Sequence, residues 1–400
     1  MARSSAQQIR GWRGPAVLSF GFRPFFLLGA LWAVLAMALW IPALTGAIAL
    51  PTHLDPVAWH AHAFLFGYLG AVMAGFLLTA VPNWTGGLPV VGRPLGALAL
   101  LWAAGRLAVL VSAHLPVALT AAVDLAFPLA LGALLLREIL AGRNWRNLPV
   151  LALLGLFALA NATFHLESGQ GGDAASGVGV RLGLAAALGM IALIGGRIVP
   201  SFTRNWLVRR GPGRLPVPPM RKFDQVALLV LFAALVAWVA APASAATGAS
   251  LTLAGALHLF RLARWAGDRT LREPLVLVLH VGYAFLPLGA LALGAEILKP
   301  GPFGMAAAQH LWMGGAIGLM SLAVMTRATL GHTGQALTAG PGTGAIFLAL
   351  VAAVLARLIA GLWPASAQPF HALSGAAWIV AFGGFAFLYG PLLLRRRAEP

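Results

Sequence analysis

The sequence predicts an all-α polytopic membrane protein with twelve transmembrane helices and both termini in the cytoplasm. Three observations carry this reading. Hydrophobic residues make up 60% of the 400 residues and charged residues only 9%, a balance too apolar for a water-soluble fold. Apolar runs long enough to cross a hydrocarbon core of about 30 Å recur along the whole chain. Arginine and lysine gather in every second connection, as the positive-inside rule requires.

The spans fall at roughly 25–44, 60–81, 95–113, 116–136, 147–166, 180–199, 224–242, 249–266, 274–295, 304–325, 342–363 and 370–394. Arg3, Arg10 and Arg13 precede the first, and no small-residue cleavage site separates them from it, so that run reads as a retained helix. Arg93, then Arg137, Arg143 and Arg146, occupy the second and fourth connections. The sixth holds Arg204, Arg209, Arg210, Arg214, Arg221 and Lys222; the eighth holds Arg261, Arg264, Arg269 and Arg272. Arg327 follows the tenth span, and Arg395, Arg396 and Arg397 follow the last. Odd-numbered connections hold only Arg181 and Lys299. A miscounted span would break this alternation. Even-numbered spans therefore descend from outside to inside a bacterial inner membrane. The chain reads as a single transmembrane domain over 1–400, with a short basic cytoplasmic N-terminus (1–15), a basic cytoplasmic loop (200–223) and a cytoplasmic tail (395–400).

The net charge of +17 lies in these connections, which points to membrane orientation and away from nucleic acid. The absence of cysteine excludes disulfides, iron–sulfur clusters, thiolate-bound metals and haem attached at a C-x-x-C-H motif. No serine-nucleophile elbow, P-loop, HExxH or dinucleotide fingerprint is present, so hydrolase and ATPase readings have no support. Histidine is then the natural metal ligand.

The second and tenth spans share a layout. His62 to Gly86 and His310 to Gly334 align at a shift of 248 (310 − 62), which pairs Gly70 with Gly318 and Thr85 with Thr333. A partial third copy in the sixth span places Val199, Pro200 and Thr203 on Val81, Pro82 and Thr85 at a shift of 118. Gly314 and Gly318, and Gly67, Gly70 and Gly75, suggest close helix packing.

Ionisable residues at membrane depth are costly and usually face the bundle interior. His60, His62, His165 and His310 come to one depth near the outer face. His60 and His62 are about 200° apart around an ideal helix, so they point different ways. His53, His114 and His371 read as ordinary polar residues at outer loops or helix ends. His258 and His280 lie deeper, each either a ligand or a neutral imidazole bonded to a neighbouring helix, and His332 ends the tenth span. Arg197 and Arg327 end their helices on the inner side, where each either binds an anion such as a haem propionate or snorkels to lipid phosphate. Asp124, in the middle of the fourth span beside Pro128, either pairs with Arg106 of the third span or takes a freed backbone group; a proton path through it is also open.

The runs FRPFFLLGALWA (22–33), WHAHAFLFGYLGAVMAGFLLTAVPNWTG (59–86), RIVPSFTRNWL (197–207), LHVGYAFLPLG (279–289) and HLWMGGAIGLMSLAVMTRATLGHTG (310–334) together resemble the NnrS family. These are membrane proteins associated with denitrification and nitric oxide stress and described as carrying haem and copper. The resemblance implies interest in His60, His62, His165, His280, His310, His332, Arg197 and Arg327, as metal ligands or as residues that bind a haem b. It also exposes a departure: the family's second-span motif usually has glutamate after the second histidine, and here Ala63 stands there.

Descending spans two, six and ten, four apart, are compatible with three four-helix arcs, the layout of the haem–copper oxidase catalytic subunit. By that analogy, His310 and either His60 or His62 hold a haem near the outer face, and His165 with the other member of the pair holds copper. The oxidase copper site needs histidines on the sixth and seventh helices, which lack them here, so a terminal oxidase is not expected. The implied function is haem-dependent binding or reduction of nitric oxide, or resistance to nitrosative stress. The rivals are a transporter of a metal, haem or small solute, and a metal-delivery or assembly factor for nitrogen-oxide reductases. The lipid bilayer and nitric oxide are the partners implied.

Because the chain has no native cysteine, its topology can be tested directly. In intact cells a membrane-impermeant maleimide should label a single-cysteine Gly171→Cys variant and spare Pro212→Cys. The reverse pattern would invert the orientation.

Overall fold

The computed structural model describes residues 11–301 and 304–396, all helix, turn and coil with no strand among them. Arg3, Arg10 and Arg397 of the expected basic ends lie outside the described residues. Among those residues, eleven helices are long and apolar enough to cross a membrane. They are α1 (Phe22–Leu44), α2 (Pro56–Thr85), α3 (Arg93–Leu110), α4 (Val117–Ala141), α5 (Trp145–Gly169), α6 (Val178–Val208), α7 (Lys222–Ala240), α9 (Pro274–Leu298), α10 (Met305–Thr333), α11 (Pro341–Leu362) and α12 (Pro364–Leu394). The remaining expected span forms α8 (Ala245–Ala263). Its 19 residues reach about 28 Å, but Thr247, His258 and Arg261 lower its apolarity, and all three are fully buried.

Three of these helices contain π-helical segments: Ala63–Tyr68 in α2, Ile191–Gly195 in α6 and Leu311–Leu319 in α10. They are the three helices that share sequence. In α2 and α10 the π segment begins immediately after the matched histidines, His62 and His310. Thr85, Thr203 and Thr333 each donate a hydroxyl to the carbonyl four residues earlier, at 3.0, 2.8 and 2.7 Å. Gly86 and Gly334 both adopt the left-handed conformation (φ 72° and 77°) that stops a helix and favours glycine. A π segment loosens the backbone ladder, and in α2 indole N–H groups use the carbonyls: Trp32 donates to Ala63 O at 2.8 Å and Trp102 to Gly67 O at 3.0 Å.

The chain divides into two compact units. Unit 1 comprises α1–α5, the start of α6 up to Gly183, Ala328–Ala336 and the end of α12 from Phe385. Here Arg23 at the start of α1 is buried and sends Nη1 to the carbonyls of Leu392, Leu393 and Arg395 at 3.1, 2.9 and 2.7 Å. A cation thus satisfies the orphan carbonyls that end α12. His332 rests its ring on Phe20 and Phe22, with centroids 5.2 and 5.4 Å away.

Unit 2 comprises the rest of α6, α7–α9, α10 as far as Arg327, α11 and α12 as far as Gly384. Without water, helices gain little from apolar burial, and close backbone approach becomes the main attraction. Helices α8 and α9 achieve it through glycine: a Cβ at Gly255 would lie 2.9 Å from Pro287 O, and one at Gly294 would lie 2.8 Å from Gly248 O. The basic connection between α6 and α7 is tied down by Arg214 to Asp268, whose carboxyl that hydrogen bond holds below its ordinary pKa, and by Val217 N to Arg264 O at 3.1 Å.

A buried polar network fastens α7, α8 and α9. Asp224 caps α7 by accepting from Arg221 N (3.1 Å) and accepts from Arg261 Nε (2.9 Å). Arg261 Nη1 donates to Tyr283 Oη at 2.9 Å and to Ala192 O at 3.0 Å. His258 Nε2 lies 3.1 Å from Ala227 O, which can only accept, so Nε2 carries the proton. Tyr283 Oη, 2.9 Å from His258 Nδ1, is therefore the donor to that nitrogen. His258 and His280 are both hydrogen-bonded to neighbouring helices: His280 Nε2 meets Thr203 Oγ1 at 2.8 Å, and its Nδ1 is buried without a partner.

Breaking a buried ion pair costs more than replacing it whole. Asp224→Ala should destabilise unit 2 by about 3–5 kcal/mol, read as a lowered midpoint for heat-induced loss of monodispersity in detergent. Asp224→Leu with Arg261→Met should recover much of that. An unchanged midpoint in Asp224→Ala would refute the network's structural weight.

Candidate metal centre

Unit 1 brings five buried polar side chains together at one point. Four helices supply them: His62 from α2, Arg106 from α3, Asp124 from α4, and Asn161 with His165 from α5. Asn161 and His165 are four apart and share a helix face. Asp55 sets the start of α2, accepting from Val57 N and Ala58 N at 2.8 and 3.0 Å with Pro56 in the first turn. That start fixes which of the two nearby histidines turns inward. His62 is 0% exposed, whereas His60 is half-buried and stacks on Trp40 of α1 with centroids 4.0 Å apart.

Asp124 is the hub and is itself 0% exposed. Its Oδ1 accepts from Arg106 Nη2. Its Oδ2 accepts from His62 Nε2 at 3.0 Å, His165 Nε2 at 3.0 Å and Asn161 Nδ2 at 2.8 Å. Of the two expectations for Asp124, pairing with Arg106 is the one the structure has. An ionised carboxylate only accepts, so both imidazoles carry their proton on Nε2 here. Nδ1 of His62 and of His165 then lie buried with no protein partner. Asn161 Oδ1, 3.1 Å from His62 Nε2, adds a third oxygen to the two of Asp124.

His62, Asp124 and His165 each offer a ligand atom, and these atoms lie within 4.8 Å of one another, a spacing one metal ion can bridge. An ion there would bind the two Nε2 atoms with each imidazole's single proton moved to Nδ1, so both rings stay neutral, and would relieve the crowding of donors around Oδ2. Two imidazoles and a carboxylate form a borderline donor set suited to Cu(II), Fe(II) or Zn(II), and no thiolate or thioether is needed. Gly67 leaves room for the Arg106 side chain to reach Asp124. A Cβ at Gly67 would lie 2.7 Å from Arg106 Nη1 and 2.8 Å from Trp32 Nε1.

The other expected site residues lie elsewhere. His280 is bonded to Thr203 in unit 2, and His332 lies on Phe20 and Phe22 in unit 1. Arg197 is half-buried in α6, and Arg327 holds its guanidinium over the Phe202 ring at 4.2 Å. His310, in unit 2, has Nδ1 2.6 Å from Ala306 O, which makes Nδ1 the protonated nitrogen and leaves Nε2 with the lone pair. Sequence reasoning had not placed Asp124 and Asn161 in a ligand set. The signals were present: a lone carboxylate deep in an apolar span, and an Asn–His pair at helical spacing in another.

A family model described as NnrS protein matches residues 16–397, nearly the whole chain. No curated protein matches it.

The Gly67 cradle yields a local test. Gly67→Ala should push Arg106 off Asp124 and destabilise the protein by about 1–3 kcal/mol, seen as a lower thermal midpoint in detergent. Adding Arg106→Ala should reduce that penalty. Equal penalties in the two backgrounds would show that Gly67 does not serve the arginine.

Proposed function

The chain belongs to the NnrS family, and from that premise we propose a haem- and metal-binding inner-membrane protein directed at nitric oxide. The metal is held by His62, Asp124 and His165, and a b-type haem is ligated by His310. The reading keeps twelve spans, both termini cytoplasmic, and the three-arc arrangement, with α8 as the least apolar span. One observation carries it: three residues with metal-ligating side chains from three helices converge, fully buried, where an apolar bundle would otherwise hold none.

His62 and His310 divide the roles because their ring nitrogens differ. His62 Nε2 is committed to Asp124, which favours the metal set over haem ligation. His310 donates Nδ1–H to a backbone carbonyl, the arrangement that orients an imidazole for axial ligation through Nε2. Arg327 lies about 25 Å further along α10, so it serves no propionate of a haem bound at His310. When bound, haem iron and copper supply the affinity for nitric oxide and the redox chemistry. The chain's own part is to fix the imidazoles, exclude water and hold one carboxylate ionised through Arg106.

Visible spectra of purified protein, oxidised, reduced and reduced with nitric oxide, together with iron and copper analysis, test this. The wild type should show a Soret band that shifts with nitric oxide. His310→Ala should lose that band and keep the non-haem metal; His165→Ala should do the opposite. A full Soret band in His310→Ala would sink the haem assignment, and undiminished metal in both His165→Ala and Asp124→Ala would sink the metal assignment. A colourless, metal-free protein after expression with ample haem and copper would leave the transporter reading in its place.

A further inference from the structure

Arg106 has more hydrogen-bonding capacity than its partner uses. Nη2 goes to Asp124, while Nε and Nη1 are buried with no acceptor in the protein. The residue is 4% exposed, so bulk water does not satisfy them. Arg106 forms part of the wall of a cleft within unit 1, otherwise lined mainly by Phe66, Gly70, Phe127, Leu154 and Phe157, with Asn161 beside it. The space is small, of the order of one water molecule.

This geometry selects a ligand by three criteria. The arginine offers donors only, so the ligand must accept. The remaining walls are mostly apolar and aromatic, so it must be weakly hydrated and compact. Charge supplies the third. Arg106 and Asp124 cancel, but a divalent ion on His62, Asp124 and His165 would leave the buried cluster at a formal +2. Buried charge without compensation is strongly disfavoured.

We infer that the Arg106 cleft binds one small monovalent anion, of halide class, as the charge partner of the loaded metal centre. The inference rests on the metal reading above. Anion and metal are then linked: each raises the other's affinity by the same factor. The anion would sit against Arg106, which binds Asp124, and Asn161 borders both the cleft and the metal set.

The test measures Cu(II) affinity by chelator competition on full-length protein in nanodiscs, with chloride replacing gluconate at constant ionic strength. Wild-type affinity should rise by about tenfold as chloride replaces gluconate, within the usual range for coupled sites. Arg106→Gln should remove the rise. Gly70→Ala should remove it too, because the added methyl enters the cleft and meets Phe127 only at 3.8 Å, an ordinary contact that spares the fold. Copper that binds with the same affinity in both salts overturns this inference and leaves the metal reading intact. Chloride dependence that survives in both variants overturns the assignment to this cleft. Failure of the wild type to bind copper overturns the metal reading and this inference together.

Discussion

The ion pair between Arg106 and Asp124 is the constraint on which the rest of unit 1 depends. Neither charge is tolerable alone at this depth, and together they are tolerable only when their remaining lone pairs and protons are used. That requirement draws in four helices. Asp124 Oδ2 takes Asn161 and His165 from α5 and His62 from α2, while Arg106 reaches it from α3 past Gly67. Helix order in this part of the bundle therefore follows from satisfying one carboxylate, with aliphatic and aromatic packing filling the space between.

Unit 2 solves the same problem differently, and the contrast indicates which network is built for a ligand. Around Arg261 and Asp224, both nitrogens of His258 have partners, and Tyr283 both donates and accepts. That arrangement positions helices and leaves one guanidinium nitrogen, Arg261 Nη2, without a partner. Around Asp124, three donors crowd one oxygen while two imidazole nitrogens and two guanidinium nitrogens have no acceptor or donor opposite them. Unspent capacity next to a cleft is what a ligand site needs and what a purely structural network would avoid.

Much of this was legible in the sequence, because membrane burial is written in the chain as long apolar runs and oriented arginines. Every expected span corresponds to a helix. The shared layout of α2, α6 and α10 reappears as matching threonine hydrogen bonds and as π segments in the same three helices. The divergence of His60 and His62 followed from helical geometry alone, and so did a choice of two partners for Asp124. What the sequence could not give was which histidine turns inward, since that depends on where Asp55 starts the helix. Nor could it show that α5 would bring Asn161 and His165 against α4, because helix-to-helix contacts leave no periodic signature. The network that joins His258 and Arg261, three apart on α8, to Tyr283 of α9 was likewise invisible, because it depends on which helices meet.

The replacement at position 63 can now be weighed. Ala63 follows His62 directly, is buried, and opens the π segment whose carbonyl takes the Trp32 indole. The glutamate implied there by resemblance would stand beside the inward-facing histidine and bring a second carboxylate to unit 1's core. Here Asp124 is the carboxylate that meets both His62 and His165, and it meets them through one oxygen while Arg106 holds the other. With a single negative charge set against one arginine, the apo cluster is neutral and stable as it stands. The same balance leaves a metal-loaded cluster short of negative charge, and a chain lacking the glutamate must find that charge outside its own side chains. The small, mostly apolar cleft that Arg106 and Asn161 border, proposed as an anion site, is where this fold would admit it.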